Sequence, residues 1–260
     1  MSLAETYKKV RGACVALAIE FRDERGIQFF TFGSGVCVDK KGVIITARHV
    51  ITGYYESIKC EKISGNLVPS RPEFQIIFTR YAKEKVEGFF SRPLQIAMPE
   101  DKDCDVAIIR IPEINNGWPF LNFPSHWKIF EGDDVATAGY PLRSYKDPSV
   151  QPNLFRGIVS RIPLSYVAGQ GWRADELIVD ISIHPGNSGG PVFDVETGEL
   201  LGIVSNQVLR SVDTSGLTEI PDSFKDLSKK TVCQFNVWTN IVSCVPWIRF
   251  SNLVDKFKTM

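Results

Sequence analysis

The stretch HPGNSGGPV, residues 184 to 192, gathers three glycines (Gly186, Gly189 and Gly190) around one hydroxyl group, that of Ser188. A tight turn between strands would explain this composition, because glycine, proline, asparagine and serine dominate turns for conformational reasons alone. A catalytic loop would also explain it, because glycines let backbone N–H groups converge beside an exposed nucleophile, as stabilisation of an oxyanion requires. The stretch leaves both interpretations open, and a base and an orienting acid elsewhere would favour the second.

The chain has only three histidines, so the search for a general base to serve Ser188 is short. His49 ends the strand-like run VIITARHV, which predicts an imidazole at a strand-to-loop junction; a structural histidine inside the core is the alternative. Asp105 is the first residue of the apolar run DVAIIRI, so its carboxylate is expected to be partly buried and to need a hydrogen-bond donor. His49, Asp105 and Ser188 follow one of the known chain orders of a Ser-His-Asp triad.

The elements that must position these residues are predicted to be strands. Valine, isoleucine, phenylalanine and threonine gather in runs of roughly five to eight residues between Gly, Pro, Asn and Asp, which is typical of an all-β chain. Long amphipathic helical patterns are nearly absent. The predicted strands are Val15–Phe21, Gln28–Val38, Val43–Thr46, Ser57–Ile63, Phe74–Thr79, Leu94–Met98, Val106–Ile111, Asp134–Ala138, Phe155–Arg161, Glu176–Ile183, Gly190–Phe193, Leu200–Ser205 and Val232–Trp238.

A polar stretch at residues 112 to 131 divides the predicted strands into two groups of similar size. The expected organisation is an N-terminal lobe, residues 1–115, with the histidine and the aspartate, and a C-terminal lobe, residues 116–260, with the serine. A cleft between two such lobes is a usual place for ligands to bind. Together the lobes would form one domain with the three residues at the cleft.

Two further patterns refine this arrangement. The segments at 33–46 (GSGVCVDKKGVIIT) and 187–205 (NSGGPVFDVETGELLGIVS) share an order of glycines, apolar strand, polar turn with glycine and second strand, which predicts two related hairpins. From Thr239 onwards apolar residues recur at helical intervals, which predicts a C-terminal helix. Pro246 is expected to kink that helix or to start a new first turn.

Composition argues against several classes of protein. The 260 residues carry no formal net charge and the sequence pI is about 6.8, so neither nucleic acid nor an acidic membrane surface is an expected partner. No apolar run approaches the roughly 18 to 20 residues that span a bilayer, and Ala13–Ile19 is interpreted as a strand, not as part of a signal peptide. The six cysteines form no CxxC pair, so the spacing of zinc-finger or redox sites is absent. Three disulfides in a secreted protein are the alternative, but because no export signal is recognised, reduced, mostly buried thiols and a cytoplasmic protein are expected.

Several segments around the three residues resemble the signature segments of trypsin-like serine proteases of the Deg/HtrA type. They are GSGVCVDKKGVIITARHV, DVAIIRI, GDDVATAGYPL, DISIHPGNSGGPVFD and GELLGIVS. FNVWTNIV, residues 235–242, is similar to the end of that family's last strand and the start of its terminal helix. The resemblance covers residues 10 to 258, is most specific at TARH and GNSGGP, and implies two six-stranded antiparallel β-barrels of the chymotrypsin/trypsin type with a C-terminal helix.

The same resemblance implies a serine endopeptidase that hydrolyses peptide bonds of a protein or peptide substrate through an acyl-enzyme intermediate. Ser188 would attack the carbonyl, His49 would carry the proton and Asp105 would orient the imidazole. Gly186, Asn187 and Ser188 would form the oxyanion hole. No cofactor and no metal is expected. The family includes trimers, and the sequence leaves the oligomeric state open.

The substrate-binding residues carry a weaker signal. Residues 182–185 offer no acid for the base of a specificity pocket, so hydrophobic or small uncharged side chains are expected at the cleavage position. His184 and Ser205 are predicted to bind substrate, with a packed loop residue as the alternative for His184. Val50 stands where secreted trypsins usually carry a disulfide cysteine, which favours a reduced setting. The polar excursion at 207–230 is longer than ordinary loops and is interpreted as a lid or as a surface insertion.

Two other function classes stay open. A catalytically silent relative would use the protease-like fold as a peptide-binding or regulatory module, although such a module needs neither a proton relay nor a reactive hydroxyl. A metal hydrolase built on His49, His184 and Asp105 is a third hypothesis, and its ligands lack the spacing of known metal sites.

Overall fold

The computed structural model describes residues 2–24, 26–59, 74–81, 86–141, 143–145, 151–167, 171–213 and 234–259. These ranges are dominated by strands, so the all-β prediction is confirmed. The strands are β1 (Cys14–Asp23), β2 (Gly26–Asp39), β3 (Val43–Thr46), β4 (Gln75–Tyr81), β5 (Val86–Ser91), β6 (Gln95–Ala97), β7 (Ala107–Arg110), β8 (Asp134–Gly139), β9 (Arg143–Tyr145), β10 (Asn153–Arg161), β11 (Leu164–Val167), β12 (Gly171–Ala174), β13 (Leu177–Asp180), β14 (Pro191–Asp194), β15 (Leu200–Asp213) and β16 (Gln234–Pro246). The α-helices are α1 (Leu3–Val10), α2 (Arg48–Lys59) and α3 (Ser251–Thr259).

Helix α2 occupies part of a segment that the sequence predicts as strand. The strand expected at Ser57–Ile63 is wrong as far as Lys59, where the helix ends, and residues 60–63 lie outside the described ranges. Val50, Ile51 and Tyr54 are spaced as on one face of a helix, and all three are buried against the first sheet. Tertiary burial of that face explains the helix.

The N-terminal sheet has eight strands in the order β5-β4-β1-β2-β3-β7-β6, with β9 also pairing with β2. β2 and β3 form an antiparallel hairpin whose turn contains Gly42 at φ +89°. In the second sheet, β14 and β15 form the corresponding hairpin, with Gly198 at φ +73°. The prediction of two related hairpins is therefore confirmed.

The C-terminal half forms a closed six-stranded barrel in the order β10-β13-β16-β15-β14-β8, and β11 and β12 pair separately. Of the two expected six-stranded barrels, the C-terminal one is therefore confirmed. The described N-terminal strands form an eight-stranded sheet, and a second closed barrel is not shown. β15 continues past its predicted end at Ser205, so residues 207–213 of the predicted excursion belong to a strand. Residues 214–230, which the lid hypothesis also covers, lie outside the described ranges.

The C-terminal helix exists but begins later than predicted. β16 continues through the segment where a helix was expected from Thr239, and α3 starts only after a short 3₁₀-helix (Trp247–Arg249). Val242 and Cys244 alternate into the buried interior of the barrel, and β16 pairs with both β13 and β15. Closure of the barrel therefore outweighs the local helical spacing.

One core cluster packs the two sheets together. It includes Ile45 of the N-terminal sheet, Phe193 of the barrel and Phe257 of α3. Tyr140, fully buried after β8, donates its hydroxyl proton to the carbonyl oxygen of Cys14 at 3.3 Å. These contacts fix the relative position of the sheet edges that carry the predicted site.

The thiols that the structure describes are free and buried. Burial raises the pKa of Cys37 to about 12, so this group stays a neutral thiol at physiological pH. Cys60 and Cys233 lie outside the described residues. The prediction of reduced, buried thiols is confirmed for the other four, Cys14, Cys37, Cys104 and Cys244.

Substitution of Gly157 tests the packing of the barrel. A Cβ atom at Gly157 would lie 2.1 Å from the backbone carbonyl oxygen of Asp180 on β13, so the two strands would have to separate. We expect Gly157→Ala to lower the free energy of unfolding by about 1–3 kcal/mol, measured by urea denaturation. Gly53→Ala is the control, because a Cβ there meets no atom within 4 Å. Equal unfolding midpoints for the two variants would contradict the tight approach.

Candidate active site

Strand pairing brings the predicted base and acid to one edge of the N-terminal sheet. β3 and β7 are antiparallel, with Thr46 at the end of β3 paired to Ala107 at the start of β7. His49 follows that end of β3 in the first turn of α2, and Asp105 precedes the start of β7 by two residues. Their side chains therefore emerge side by side although the residues are far apart in sequence.

The carboxylate of Asp105 holds the imidazole of His49 at two points. Oδ2 lies 2.7 Å from His49 Nδ1, and Oδ1 accepts the backbone N–H of His49 at 2.9 Å. The Asp105 side chain is 24% exposed, whereas the His49 side chain is 49% exposed. Burial raises the pKa of Asp105, but hydrogen bonds from His49 and Ser205 outweigh burial, so the pKa lies below its usual value. Asp105 is therefore a carboxylate at neutral pH.

Ser205 has a partner that sequence reasoning missed. Its Oγ donates a hydrogen bond of 2.6 Å to Oδ2 of Asp105, the same oxygen that faces His49. The sequence identified Ser205 as a residue near the site but could not connect it to a carboxylate in the other half of the chain. Its substrate-binding role stays a prediction.

Two arginines hold the loop that leads into Asp105. Arg48 begins α2 and donates from its guanidinium to the carbonyl oxygen of Asp101 at 3.0 Å. Arg249 donates to the carboxylate of Asp101 at 2.8 Å, and its own side chain is largely buried. Because Arg48 adjoins His49 in the chain, these contacts tie the loop of the acid to the helix of the base.

The loop that carries Ser188 lies between β13 and β14 and is anchored by Ser34 of the N-terminal sheet. The Ser34 backbone N–H donates to the carbonyl oxygen of Ser188 at 2.9 Å. Its hydroxyl donates to the carbonyl oxygen of Gly186 at 2.7 Å and accepts the N–H of Tyr140 at 2.8 Å. Sequence reasoning missed this role of Ser34, and the only signal was its place in the GSG element of the first predicted hairpin.

Gly189 allows that anchoring. Its φ is +83°, and a Cβ there would lie 2.2 Å from the carbonyl oxygen of Ser34 and 2.3 Å from Thr46 Oγ1. A side chain would therefore separate the nucleophile loop from the N-terminal sheet. The Gly189 N–H donates to Val204 on β15 at 2.7 Å, which ties the loop to the barrel as well.

Residues 184–187 form a turn ahead of Ser188. The backbone N–H of Asn187 donates to the carbonyl oxygen of His184 at 3.0 Å, and Gly186 has φ +98°. Glycine with positive φ in the third position, after Pro185, is typical of a type II turn. Among the described residues, no backbone carbonyl accepts the N–H of Gly186 or of Ser188.

The other predicted loop residues have different surroundings. Asn187 is fully buried, and no described hydrogen-bond partner is present for its side-chain amide. His184 is exposed and packs edge-on against Phe155, with ring centroids 5.7 Å apart. The packed, hydrogen-bonded loop position that was the alternative for His184 stays a prediction, and so does its substrate-binding role.

His49 and Ser188 line one cavity of about 200 Å³. Its other lining residues are Phe32, Val50, Gly53 and Tyr54. A larger cavity of about 290 Å³, with Trp127 and Trp247 in its wall, includes none of the predicted site residues. The cavity next to Ser188 is therefore where the structure brings the predicted nucleophile and base together.

Neither a metal site nor a membrane-spanning helix is found among the described residues. Within those ranges, no three side chains of histidine, cysteine, aspartate or glutamate are grouped so that they could hold a metal ion. None of the helices in the described part of the chain is long and apolar enough to cross a membrane.

Comparison with known proteins identifies several relatives. The chain is 24% identical over 197 residues to the serine protease Do-like HtrA of Lactococcus lactis subsp. lactis (strain IL1403), a match that covers 75% of this chain and 41% of the relative. It is 26% identical over 203 residues to the putative protease Do-like 14 of Arabidopsis thaliana, again covering 75% of this chain and 41% of the relative. The matches thus span about two fifths of the length of these relatives.

A shorter match is closer in sequence. The chain is 33% identical over 118 residues to the chloroplastic protease Do-like 2 of Arabidopsis thaliana, which covers 44% of this chain and 18% of the relative. The family model of the trypsin-like peptidase domain matches residues 33–203, well over half of the chain, and this range contains His49, Asp105 and Ser188. The chain therefore belongs to the trypsin-like peptidase family.

Proposed function

We propose that this protein is a serine endopeptidase that cleaves protein or peptide substrates through a Ser188–His49–Asp105 triad. The observation that carries the proposal is the 2.7 Å contact between Asp105 Oδ2 and His49 Nδ1 beside a cavity that His49 shares with Ser188. The family and the Do-like relatives give the reaction class.

In the proposed reaction, Ser188 Oγ attacks the carbonyl carbon of the scissile peptide bond while His49 Nε2 takes the hydroxyl proton. His49 then gives that proton to the leaving amine as the C–N bond breaks, and an ester to Ser188 remains. A water molecule, deprotonated by His49, attacks the ester and releases the acid. Asp105, ionised at neutral pH, keeps the Nδ1–H of His49 in place and stabilises the imidazolium.

We assign the oxyanion hole to the backbone N–H groups of Gly186 and Ser188, with Asn187 between them. The turn at residues 184–187 supports this assignment. The positive φ of Gly186 is typical of a type II turn, in which the central peptide, between Pro185 and Gly186, is flipped relative to that of a type I turn. Loss of one such donor typically costs about 3–4 kcal/mol of transition-state stabilisation.

The remaining architectural predictions belong to the same proposal. We propose that the N-terminal sheet corresponds to the first barrel of the family fold, with the boundary between lobes at residues 115 and 116. The strand-free interval between β7 and β8 supports this boundary. β9 is an exception, since it follows the boundary and pairs with β2 of the first sheet.

The remaining functional predictions concern substrate and setting. We propose hydrophobic or small uncharged side chains at the cleavage position, supported by the lack of an acid at residues 182–185. We also propose a cytoplasmic setting, in which the four described thiols would stay reduced. No cofactor is needed for the proposed reaction.

A fluorophosphonate probe tests the proposal, because a serine whose proton is accepted by a base displaces fluoride from it and becomes a phosphonate ester. We expect labelling of one site, located by mass spectrometry at Ser188, and no labelling of Ser188→Ala. Labelling should weaken as the solution is acidified, because a protonated imidazole cannot accept the proton. A folded protein that resists the probe would instead support the catalytically silent peptide-binding module, and hydrolysis lost on adding a chelator would support a metal hydrolase.

A further inference from the structure

The acid loop, as we call residues 98–106 between β6 and β7, carries Asp105 and is organised by Asp101. The carboxylate of Asp101 accepts the backbone N–H of Asp103 at 2.9 Å, and its carbonyl oxygen accepts the N–H of Cys104 at 3.3 Å. Cys104 is 2% exposed and belongs to the core cluster that joins the two sheets. Asp101 therefore closes the turn that leads directly into Asp105.

Arg249 joins the acid loop to the C-terminal half of the chain. Its Nη2 donates to Oδ2 of Asp101 at 2.8 Å, and its Nη1 donates to the carbonyl oxygen of Asp175, between β12 and β13, at 3.3 Å. The Arg249 side chain is only 10% exposed, so surrounding atoms restrict its position. A planar guanidinium that is held at both ends fixes Asp101 in direction as well as in distance.

The segment that carries Arg249 is itself fixed in the core. Arg249 ends the 3₁₀-helix Trp247–Arg249, and the next residue, Phe250, is fully buried. The ring of Phe123 stacks on Trp247 with centroids 5.7 Å apart and meets Phe250 edge-on at 6.0 Å. Because close-packed side chains have little room to move, the guanidinium extends from a rigid support.

Two arginines therefore hold Asp101 from two sides. Arg48, which precedes His49, donates to its carbonyl oxygen at 3.0 Å, and Arg249 donates to its carboxylate. The first contact links the acid loop to the helix of the base, and the second links it to the C-terminal segment. Catalytic groups work only when their supports hold them within about 0.5 Å of the productive geometry, and Asp105 must meet the imidazole that closely.

We propose that Arg249 is a positioning residue, which acts through Asp101 to hold the carboxylate of Asp105 against the imidazole. This inference rests on the proposed peptidase function and adds a residue of the C-terminal segment to it. Neither Arg249 nor Asp101 lines the cavity beside Ser188, so loss of their ion pair should lower kcat and leave KM nearly unchanged. A misplacement of about 1 Å can lower a rate about 100-fold, and because a second arginine still holds the loop, we expect a loss of about tenfold.

Two substitutions break the ion pair from either end. Asp101→Asn keeps an oxygen that can accept the N–H of Asp103, but its amide group turns a donor towards the guanidinium of Arg249. Asp101→Asn and Arg249→Gln should each lower kcat about tenfold, with KM within about twofold of the wild type. The double variant should also lose about tenfold, because both substitutions remove the same link. Arg249→Lys should stay within about threefold of the wild type, since its ammonium group can still pair with Asp101.

Arg156→Gln is the matched control. Arg156 donates to the carboxylate of Asp134 at 2.9 Å, so this substitution removes an arginine–aspartate pair of similar length that lies between β10 and β8. We expect its kcat and KM to stay within about twofold of the wild type, because surface substitutions away from the site have small effects.

Urea unfolding midpoints show whether each variant is folded. The Asp101 side chain is 52% exposed, so its ion pair should contribute little to global stability and Asp101→Asn should unfold near the wild type. If Arg249→Gln does not fold, Asp101→Asn and Arg249→Lys carry the test, since the first must lose kcat and the second must keep it.

The experiment measures kcat and KM on a quenched peptide, and the rate constant of labelling by a fluorophosphonate, for the wild type and each variant. An active wild type whose kcat is matched by Asp101→Asn would overturn the positioning role and leave the peptidase intact. A raised KM at unchanged kcat, losses that multiply in the double variant, or an equal loss in Arg156→Gln would do the same. A wild type that neither cleaves a peptide nor reacts with the probe would remove the proposed function, and the positioning role with it.

Discussion

Replacement of Ser188 by alanine, of His49 by alanine, or of both together is expected to lower kcat by about 10⁶-fold in every case. The hydroxyl is a weak nucleophile without the base, and the base has no proton to move without the hydroxyl. Loss of either residue should therefore remove the same contribution to catalysis, so the double variant should be no worse than either single variant. The measurement is kcat on a quenched peptide, for the three variants and the wild type.

The three variants also need a check of folding. The Ser188 side chain is only partly buried and that of His49 is half exposed, so neither truncation should disturb the core. Urea unfolding midpoints close to that of the wild type would confirm this. If the losses of the single variants multiplied in the double variant, the two residues would act independently, and the proposed proton transfer between them would be wrong.

Asp105→Asn is expected to lower kcat by about 10⁴-fold with little change in KM. The carboxylate accepts at both oxygens, from His49 and from Ser205. An amide in its place can donate to Nδ1 of His49, which leaves the proton on Nε2, where Ser188 needs an acceptor. The wrong tautomer, and not a lost fold, is the physical reason for the expected effect.

Asp103→Asn is the matched control for this substitution. Asp103 lies in the same loop, is exposed, and its backbone N–H donates to Asp101. We expect its removal to change kcat less than twofold, because surface substitutions away from the site have small effects. Comparable losses from both substitutions would show that the loop as a whole, and not the carboxylate of Asp105, supports catalysis.

The lowered pKa of Asp105 gives the same variant a second readout. Because the pKa is lower in the folded chain, ionised Asp105 stabilises the fold above the unfolded-state pKa of about 3.9, and that stability is lost as the pH falls through the folded-state pKa. Urea unfolding of the wild type should therefore become easier in acid. Asp105→Asn should lack this part of the acid dependence, and an unchanged pH profile would contradict the depressed pKa.

Much of the framework could be predicted from local sequence. The strands β3, β7 and β14 lie within one or two residues of their predicted positions. Runs of β-branched residues between turn residues indicate strands without information from distant parts of the chain. The hairpin glycines Gly42 and Gly198 were recognisable for the same reason, since a turn with positive φ selects glycine within a few residues. The sequence also predicted the candidate residues His49, Asp105 and Ser188, each from its own short segment, and their order along the chain.

Local pattern was a poor guide where distant contacts dominate. Apolar residues from Thr239 onwards have helical spacing, yet Val242 and Cys244 lie in a strand that closes the barrel. α2 was missed because its apolar face is short and gains its stability by packing on the sheet. In both places the energy that selects the structure comes from residues far away in the chain.

The sequence by itself determined which groups could do chemistry and on which kind of element each would lie. Only the tertiary structure decided their partners: Ser205 donates to Asp105 across 100 positions, and Ser34 donates to Gly186 across 152. Hydrogen bonds and packing depend on distance in space, and the pairing of β3 with β7 and the contact between sheet and barrel set that distance. For this reason the anchors of the nucleophile loop became visible only in the folded chain.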